Sequence, residues 1–167
     1  MVDTDGDFSS GSYLYEAREI SGNTFRAEEI SIADGDYVTI GIGRNINRKT
    51  GVFANSSIWY SGEVPSDSQE VIILSSTTVS LTSDQSAGII TISPGATLDL
   101  VDFTLNVSDT IINYGTFEAG TGTVNFSKTG DQYIPELTYY SLSTSGSGTK
   151  HLTSNLTLDG NLTIGNG

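Results

Sequence analysis

Three carboxylates alternate at the start of the chain, at Asp3, Asp5 and Asp7. Calcium is held by hard oxygen ligands, and carboxylates at alternate positions open a calcium-binding loop. The rest of a hand-type loop is missing, because Phe8 stands where glycine is required and Leu14 where the closing glutamate belongs. The triplet is therefore a candidate calcium site, although a solvated N-terminal turn is the favoured interpretation.

Two further pairs of carboxylates could serve as general acid and base, as in glycosidases and β-helical polysaccharide lyases. These pairs are Asp34 with Asp36, and Asp99 with Asp102. The first pair flanks a turn glycine, and Asp99 falls on an outward strand position, so both are interpreted as turn and surface residues. A lyase would also need a basic group, and no Lys or Arg occurs from residue 51 to residue 127.

The chain has a single histidine, His151, and no cysteine. The absence of cysteine excludes a disulfide scaffold, a thiolate zinc site and a thiol nucleophile together. One histidine is a poor basis for a transition-metal site, and no nucleophile-elbow sequence accompanies it to form a Ser-His-Asp triad. We therefore expect no catalytic activity and no cofactor other than calcium.

Aromatic residues offer a candidate binding surface. Trp59 and Tyr60 are adjacent, and Tyr133, Tyr139 and Tyr140 follow further along the chain. Such rings can stack on sugars, although aromatic residues of β proteins are more often partly buried in turns or along the core. Trp59 and Tyr60 are therefore a candidate glycan site, although partial burial is the favoured interpretation.

The net charge is −13, from 20 acidic and 7 basic residues. An acidic surface repels phosphate backbones, so we expect no nucleic-acid partner. No apolar run approaches membrane-spanning length. The acidity favours a soluble protein of the cell exterior, or one that collects divalent cations.

Alternation of apolar and polar residues with period two dominates the chain, which predicts an all-β fold. Residues 30–40 and residues 90–100 share one frame, with apolar residues at offsets 0, 2, 8 and 10 and glycine at offset 5. Residues 71–81 repeat it, with Ser76 in place of the glycine, and start 19 residues before the copy at Ile90. That spacing suits one coil of a parallel β-helix, or β-solenoid. An antiparallel β-sandwich is the alternative.

The frame divides its residues into two sets. The following are predicted to lie in the core: Ile30, Ile32, Val38, Ile40, Val71, Ile73, Val79, Leu81, Ile90, Ile92, Leu98 and Leu100. The following are predicted to point outward: Ser31, Thr39, Thr91 and Asp99.

The tail repeats the pattern at Leu156 and again at Leu162, and Gly167 stands where the frame places its glycine. We therefore expect the N-terminal piece of a longer solenoid, with a cap or irregular first coil over residues 1–29 and coils from 30–167 that continue further. Unpaired strand edges recruit other chains, so self-association through the C-terminal edge is expected.

Three segments carry a resemblance to a known group of proteins. Residues 57–73 contain a Trp, a Gly and a Pro before a Val-Ile-Ile strand, residues 90–100 form the strand pair, and residues 112–126 read Asn-Tyr-Gly-Thr-Phe followed by Gly-Thr-Gly-Thr-Val-Asn-Phe. Residues 55–167 resemble bacterial extracellular surface repeat proteins and adhesins with parallel β-helix stalks. Residues 1–54 match less well.

The resemblance implies a structural role at the bacterial cell surface, as a stalk or terminal segment of an adhesin. Three alternatives remain open: a module that binds a glycan or a surface receptor, a β-helical polysaccharide lyase or hydrolase, and a fragment of a phage tail fibre.

Overall fold

The computed structural model describes residues 2–3, 17–21, 24–27, 31–38 and 44–165. The chain divides into two units, Met1–Ile42 and Gly43–Gly167. In the first unit, β1 (Val2–Asp3) pairs antiparallel with β4 (Tyr37–Val38), and β2 (Ala17–Ser21) pairs antiparallel with β3 (Thr24–Ala27). Residues 30–42 fall in this first unit, although the sequence frame assigned them to the coils.

The prediction that Ile32 lies in the core is wrong, because its side chain is 53% exposed. The physical reason is the environment of this copy of the frame. Residues 37–38 pair antiparallel with β1 instead of stacking in a parallel ladder. Ser31 is exposed as predicted. Ile30, Thr39 and Ile40, and the side chain of Val38, lie outside the described residues.

The second unit is a β-solenoid of about five turns. Its elements are β5 (Arg44–Ile46), β6 (Gly51–Val52), a 3-10 helix (Ser56–Ile58), β7 (Glu70–Ile73), β8 (Thr78–Ser80), β9 (Gln85–Ile92), β10 (Thr97–Asp99), β11 (Thr104–Asn113), β12 (Thr116–Glu118), β13 (Thr123–Phe126), β14 (Gln132–Ile134), β15 (Thr138–Tyr139), β16 (Ser141–Thr144), β17 (Lys150–Leu152), β18 (Thr157–Leu158) and β19 (Leu162–Ile164).

Every ladder between the described strands of this unit is parallel. One sheet has seven strands in the order β19-β16-β13-β11-β9-β7-β5, and a second has four in the order β12-β10-β8-β6. Two separate pairs, β14 with β17 and β15 with β18, complete the coils. The fold class is therefore the parallel β-solenoid, and the antiparallel sandwich is excluded.

In the middle coils, like positions of successive coils lie 19 residues apart. Val71 lies opposite Ile90, and Leu98 lies between Val79 and Phe117. This register stacks like positions of successive coils, so apolar side chains that alternate along a strand all meet inside. Eight predicted core residues are at most 1% exposed: Val71, Ile73, Val79, Leu81, Ile90, Ile92, Leu98 and Leu100. Thr91 and Asp99, on the outward positions, are only half-buried by their neighbours.

The glycine of the frame has a conformational role. Gly95 adopts a φ of 75° and Ser76, its counterpart one coil earlier, a φ of 62°. A Cβ placed on Gly95 would meet nothing closer than 3.9 Å. Glycine is therefore favoured here by the left-handed backbone and not by crowding. Serine in the same conformation is less favourable by about 1 kcal/mol of conformational free energy.

Two long strands join neighbouring faces of the solenoid. The second half of β9 pairs with β7, and the first half of β11 pairs with β13. Between these halves the β9–β11 ladder shifts register, between Val107 and Thr110. The shift interrupts the regular pairing of β9 with β11 at this corner.

The stacked core gives a direct mutational prediction. Replacing Ile90, which is fully buried between Val71 and Ile111, with Ala should lower the free energy of unfolding by about 2–5 kcal/mol, because a cavity opens in a packed interior. The matched control is Thr91→Ala on the outward face, which should cost within about 0.5 kcal/mol. Urea unfolding followed by circular dichroism measures both, and equal losses would contradict the inward and outward assignment.

Candidate functional site

Trp59, one of the two residues predicted to bind a glycan, lies in the core. Its side chain is 1% exposed, its indole Nε1 donates a hydrogen bond of 2.8 Å to the carbonyl oxygen of Phe53, and the two rings meet edge-on at 5.0 Å. A ring in this position offers no face to a sugar. Trp59 instead closes the apolar interior beside the 3-10 helix, and Tyr60 beside it is half-buried.

The calcium prediction falls largely outside the described residues. Asp5 and Asp7 are not described, and of Asp3 only the backbone is, in the pair of β1 with β4. Among the residues that are described, no group of three His, Asp or Glu side chains is arranged to hold a metal ion. Calcium binding at Asp3, Asp5 and Asp7 stays a prediction.

The paired carboxylates bond to the backbone of their own turns. Asp36 Oδ2 accepts a hydrogen bond of 2.7 Å from the amide of Ala33, and Asp99 Oδ1 accepts one of 2.9 Å from the amide of Val101. The second contact supports a strained turn, since Val101 has a φ of 57°. These contacts are those of turn residues, as the sequence interpretation proposed.

Tyr133 and His151 form an aromatic pair on the outer surface of the solenoid. They are opposite residues of the β14–β17 ladder, and their rings stack at 5.0 Å with an angle of 22°. Tyr133 is 63% exposed, and Asp131 Oδ2 lies 3.9 Å from His151 Nε2. An open aromatic face can stack on a sugar ring, and a neighbouring carboxylate can accept hydrogen bonds from hydroxyl groups.

Lys150 borders this pair. Its Nζ donates to the carbonyl oxygen of Lys128 at 2.6 Å and to that of Ser147 at 3.3 Å. Desolvation lowers the pKa of Lys150, and the opposing field of Asp131 limits the change. The ammonium group is thus bound to backbone carbonyls along one edge of the aromatic pair.

Tyr139 and Tyr140 behave differently. Tyr139 is fully buried against Phe117 and Phe126, and its hydroxyl donates a hydrogen bond of 2.9 Å to Pro135. Burial raises the pKa of Tyr139 well above the usual value for tyrosine. Tyr140 is half-buried. Of the tyrosines named from the sequence, Tyr133 therefore presents the most open ring.

Gln132 bridges the corner where the β9–β11 ladder shifts. It is 1% exposed, and its Nε2 donates to the carbonyl oxygens of Val107 at 2.9 Å and Asp109 at 2.8 Å. Its Oε1 accepts from the amide of Lys128 at 3.1 Å. The carbonyl oxygen of Val107 also accepts from the amide of Ser127 at 2.9 Å, so the Gln132 amide matters most to the carbonyl oxygen of Asp109.

A cleft opens where two ladders are interrupted. The strands β11 and β14 are not paired, nor are β12 and β15, although both pairs occupy successive coils. The resulting space, here called the inter-coil cleft, has a volume of about 320 Å³. It is lined by Asn113, Phe117, Glu136, Leu137, Thr138 and Asn155, among others.

Sequence reasoning missed both Gln132 and the inter-coil cleft. Neither could be recognised from the repeat length, because Thr123 lies opposite Ser141 in the neighbouring β13–β16 ladder, so the coil that contains Gly130 is not longer than the others. Phe117 and Tyr139 nevertheless contact each other where the ladder between their strands is interrupted.

The last described strands present apolar side chains. Leu152, Leu162 and Ile164 are 58%, 55% and 73% exposed, and β19 is paired on one side, with β16. Self-association through this edge stays a prediction.

Comparison with known proteins gives one match. Residues 58–134 match the family model of the G8 domain, a domain typical of extracellular proteins. The matched stretch runs from the 3-10 helix to the last residue of β14. The chain has no significant match among curated proteins or among solved structures. Within the described residues, no helix is long and apolar enough to cross a membrane. The chain is thus a β-solenoid that is similar, over its first coils, to the G8 domain.

The bridging role of Gln132 is testable by its removal. Gln132→Ala should lower the free energy of unfolding by about 1–3 kcal/mol, because it removes the Nε2 donor to the carbonyl oxygen of Asp109 and the acceptor of the Lys128 amide. Gln132→Glu should also destabilise, since the carboxylate keeps the acceptor but loses the Nε2 donor. The control is Gln85→Ala, whose side chain bonds to Ser83 at the exposed surface and should cost within about 0.5 kcal/mol. Thermal and urea unfolding measure the three variants, and a Gln132→Ala loss no larger than the control would contradict the bridge.

Proposed function

We propose that the chain is a structural segment of an extracellular, bacterial surface adhesin, where it forms a rigid stalk or the terminal part of one. The observation that supports this most is the continuous parallel sheet from β5 to β19. Each strand in it is bonded to the next, so the sheet cannot bend or extend without breaking hydrogen bonds along the solenoid axis. The match to the G8 domain, typical of extracellular proteins, supports the location.

The charge and the placement of polar groups agree with a non-catalytic role. The excess of acidic residues keeps a repetitive β surface soluble and opposes association of flat strand edges. The candidate acid–base pairs are engaged in turns at Asp36 and Asp99. The proposal is therefore that rigidity, and not chemistry, is what the solenoid contributes.

The structural role can be tested in the source organism. An antibody against the chain should label intact cells, and the core variant Ile90→Asp should reduce attachment of those cells to a surface. The control Thr91→Asp, on the outer face of the same strand, should leave attachment unchanged. Labelling that requires permeabilised cells would contradict the surface location, and normal attachment with Ile90→Asp would contradict the structural role.

A second candidate function is glycan binding, favoured by the exposed stack of Tyr133 and His151 beside Asp131. On a glycan array, the chain should bind specific sugars, and Tyr133→Ala should abolish the signal because the stacking face is lost. Tyr114→Ala is the matched control, since Tyr114 is 67% exposed and belongs to no aromatic pair among the described residues. An empty array, or equal binding by both variants, would contradict this candidate.

A further inference from the structure

The inter-coil cleft exposes a strand edge inside the length of the solenoid. On one side, β12 bonds to β10: the amide of Thr116 donates to Ala96, and the carbonyl oxygen of Glu118 accepts from Leu100, both at 2.9 Å. In a parallel ladder, alternate residues direct both their N–H and their C=O to the same neighbour. The N–H and C=O of Phe117 therefore point into the cleft, and no described residue bonds to them.

The opposite wall repeats this arrangement. The carbonyl oxygen of Tyr139 accepts from the amide of Asp159 in the β15–β18 pair. Tyr139 thus directs its backbone groups to β18, and Thr138 directs its own toward β12. Two strands of the same direction face each other with complementary unpaired groups and no bonds between them.

The side chains of the cleft suit an extended chain. Phe117 and Leu137 are partly buried and pack against the core, and they give an apolar floor for the inward side chains of a strand. Asn113 and Asn155 line the cleft with polar groups. The volume of about 320 Å³ lies at the lower end of the roughly 300–1,000 Å³ typical of ligand sites.

The charge around the cleft indicates that a bound segment would carry a basic residue. Glu136 lines the cleft and is exposed, and Glu118 is exposed on the adjacent β12. No lysine or arginine occurs between residues 51 and 127, so the β12 wall supplies no cation to offset these carboxylates. An incoming segment with a Lys or Arg would do so.

We propose that the inter-coil cleft binds an extended peptide segment of another protein, which pairs with the free edge of β12 at Phe117 and places a Lys or Arg beside Glu136. Strand addition to an exposed edge is a common mode of peptide recognition, in which main-chain bonds give affinity and alternate side chains give specificity. Here the receiving edge lies between two coils of one chain, so the peptide supplies pairing that is absent between β12 and β15.

The probe for the test is a fluorescein-labelled octapeptide of alternating Val and Lys. Fluorescence polarisation with the whole chain should show saturable binding, and hydrogen exchange should show slower exchange at the amides of Phe117 and Thr138. The same peptide with methylated amides on one edge should not bind, because it cannot donate to the strand. An octapeptide of alternating Val and Glu should not bind either.

Charge reversal separates the cleft from general attraction to an acidic protein. Glu136→Lys should weaken binding of the Val-Lys peptide about tenfold or more. Glu63→Lys, a change of equal charge at an exposed residue away from the cleft, should weaken it far less. Both positions are on the surface, so both variants should keep the melting temperature of the parent chain.

Four results would overturn the proposal. These are an absence of binding at millimolar peptide, equal weakening by the two charge reversals, unchanged binding of the methylated peptide, and no protection of the Phe117 amide. If the chain itself dimerises and protects Phe117 without peptide, the occupant is a second copy and the proposal of a foreign basic segment is wrong.

Discussion

Backbone pairing between successive coils is the constraint on which the rest of this structure depends. A coil that carries strands of two to ten residues has few hydrogen bonds of its own, so its N–H and C=O groups must be satisfied by the coils on either side. The parallel ladders meet this need, and in the middle coils they bring like positions of successive coils opposite each other. The alternate residues then form one apolar interior, from Val71 to Leu142.

At two places where backbone pairing between coils is incomplete, polar side chains form hydrogen bonds with the backbone. Gln132 reaches across the corner between β11 and β14. At the first coil, Asn47 is fully buried, and its amide bonds to Thr77 at 2.8 Å and accepts from the amide of Leu74 at 2.7 Å. Gln132 and Asn47 are two of five buried polar residues in the described part of the chain, with Asn45, Ser141 and Thr144. A buried carbonyl or amide group without a partner carries a free-energy penalty, which their hydrogen bonds avoid. The inter-coil cleft is the place where no such substitute is present among the described residues.

The frame around Ile90 and Leu98 was readable from the sequence because period-two alternation and a positive-φ turn together specify a strand pair. The same frame failed at Ile32, since alternation reports that one face is apolar and does not report which strand will cover it. Trp59 fills the core instead of stacking on a sugar. The sequence could not separate these two roles, because tryptophan is suited to both. Gln132 could not be identified, since its role depends on a register shift in another coil. Calcium binding at Asp3, Asp5 and Asp7 and the binding of a glycan remain predictions.

Structural features and candidate binding features occupy different parts of the solenoid. The continuous sheet supports a structural role, and the features that could bind a ligand, the Tyr133–His151 pair and the inter-coil cleft, both involve the two strand pairs that stand apart from the two larger sheets. The two candidate binding features thus lie where the stack of coils is interrupted. The continuous seven-stranded sheet keeps the neighbouring coils in place.

Native-state hydrogen exchange of the free chain tests the central claim most directly. If continuous pairing of the seven-stranded sheet holds the solenoid together, the bonded amides of β13 and β16 should exchange through one common unfolding event with the free energy of global unfolding. The amide of Phe117, which faces the inter-coil cleft, should exchange much faster. Equal protection of Phe117 and β13, or independent exchange of β13 and β16 at low free energy, would contradict a solenoid held by one continuous ladder and interrupted at the cleft.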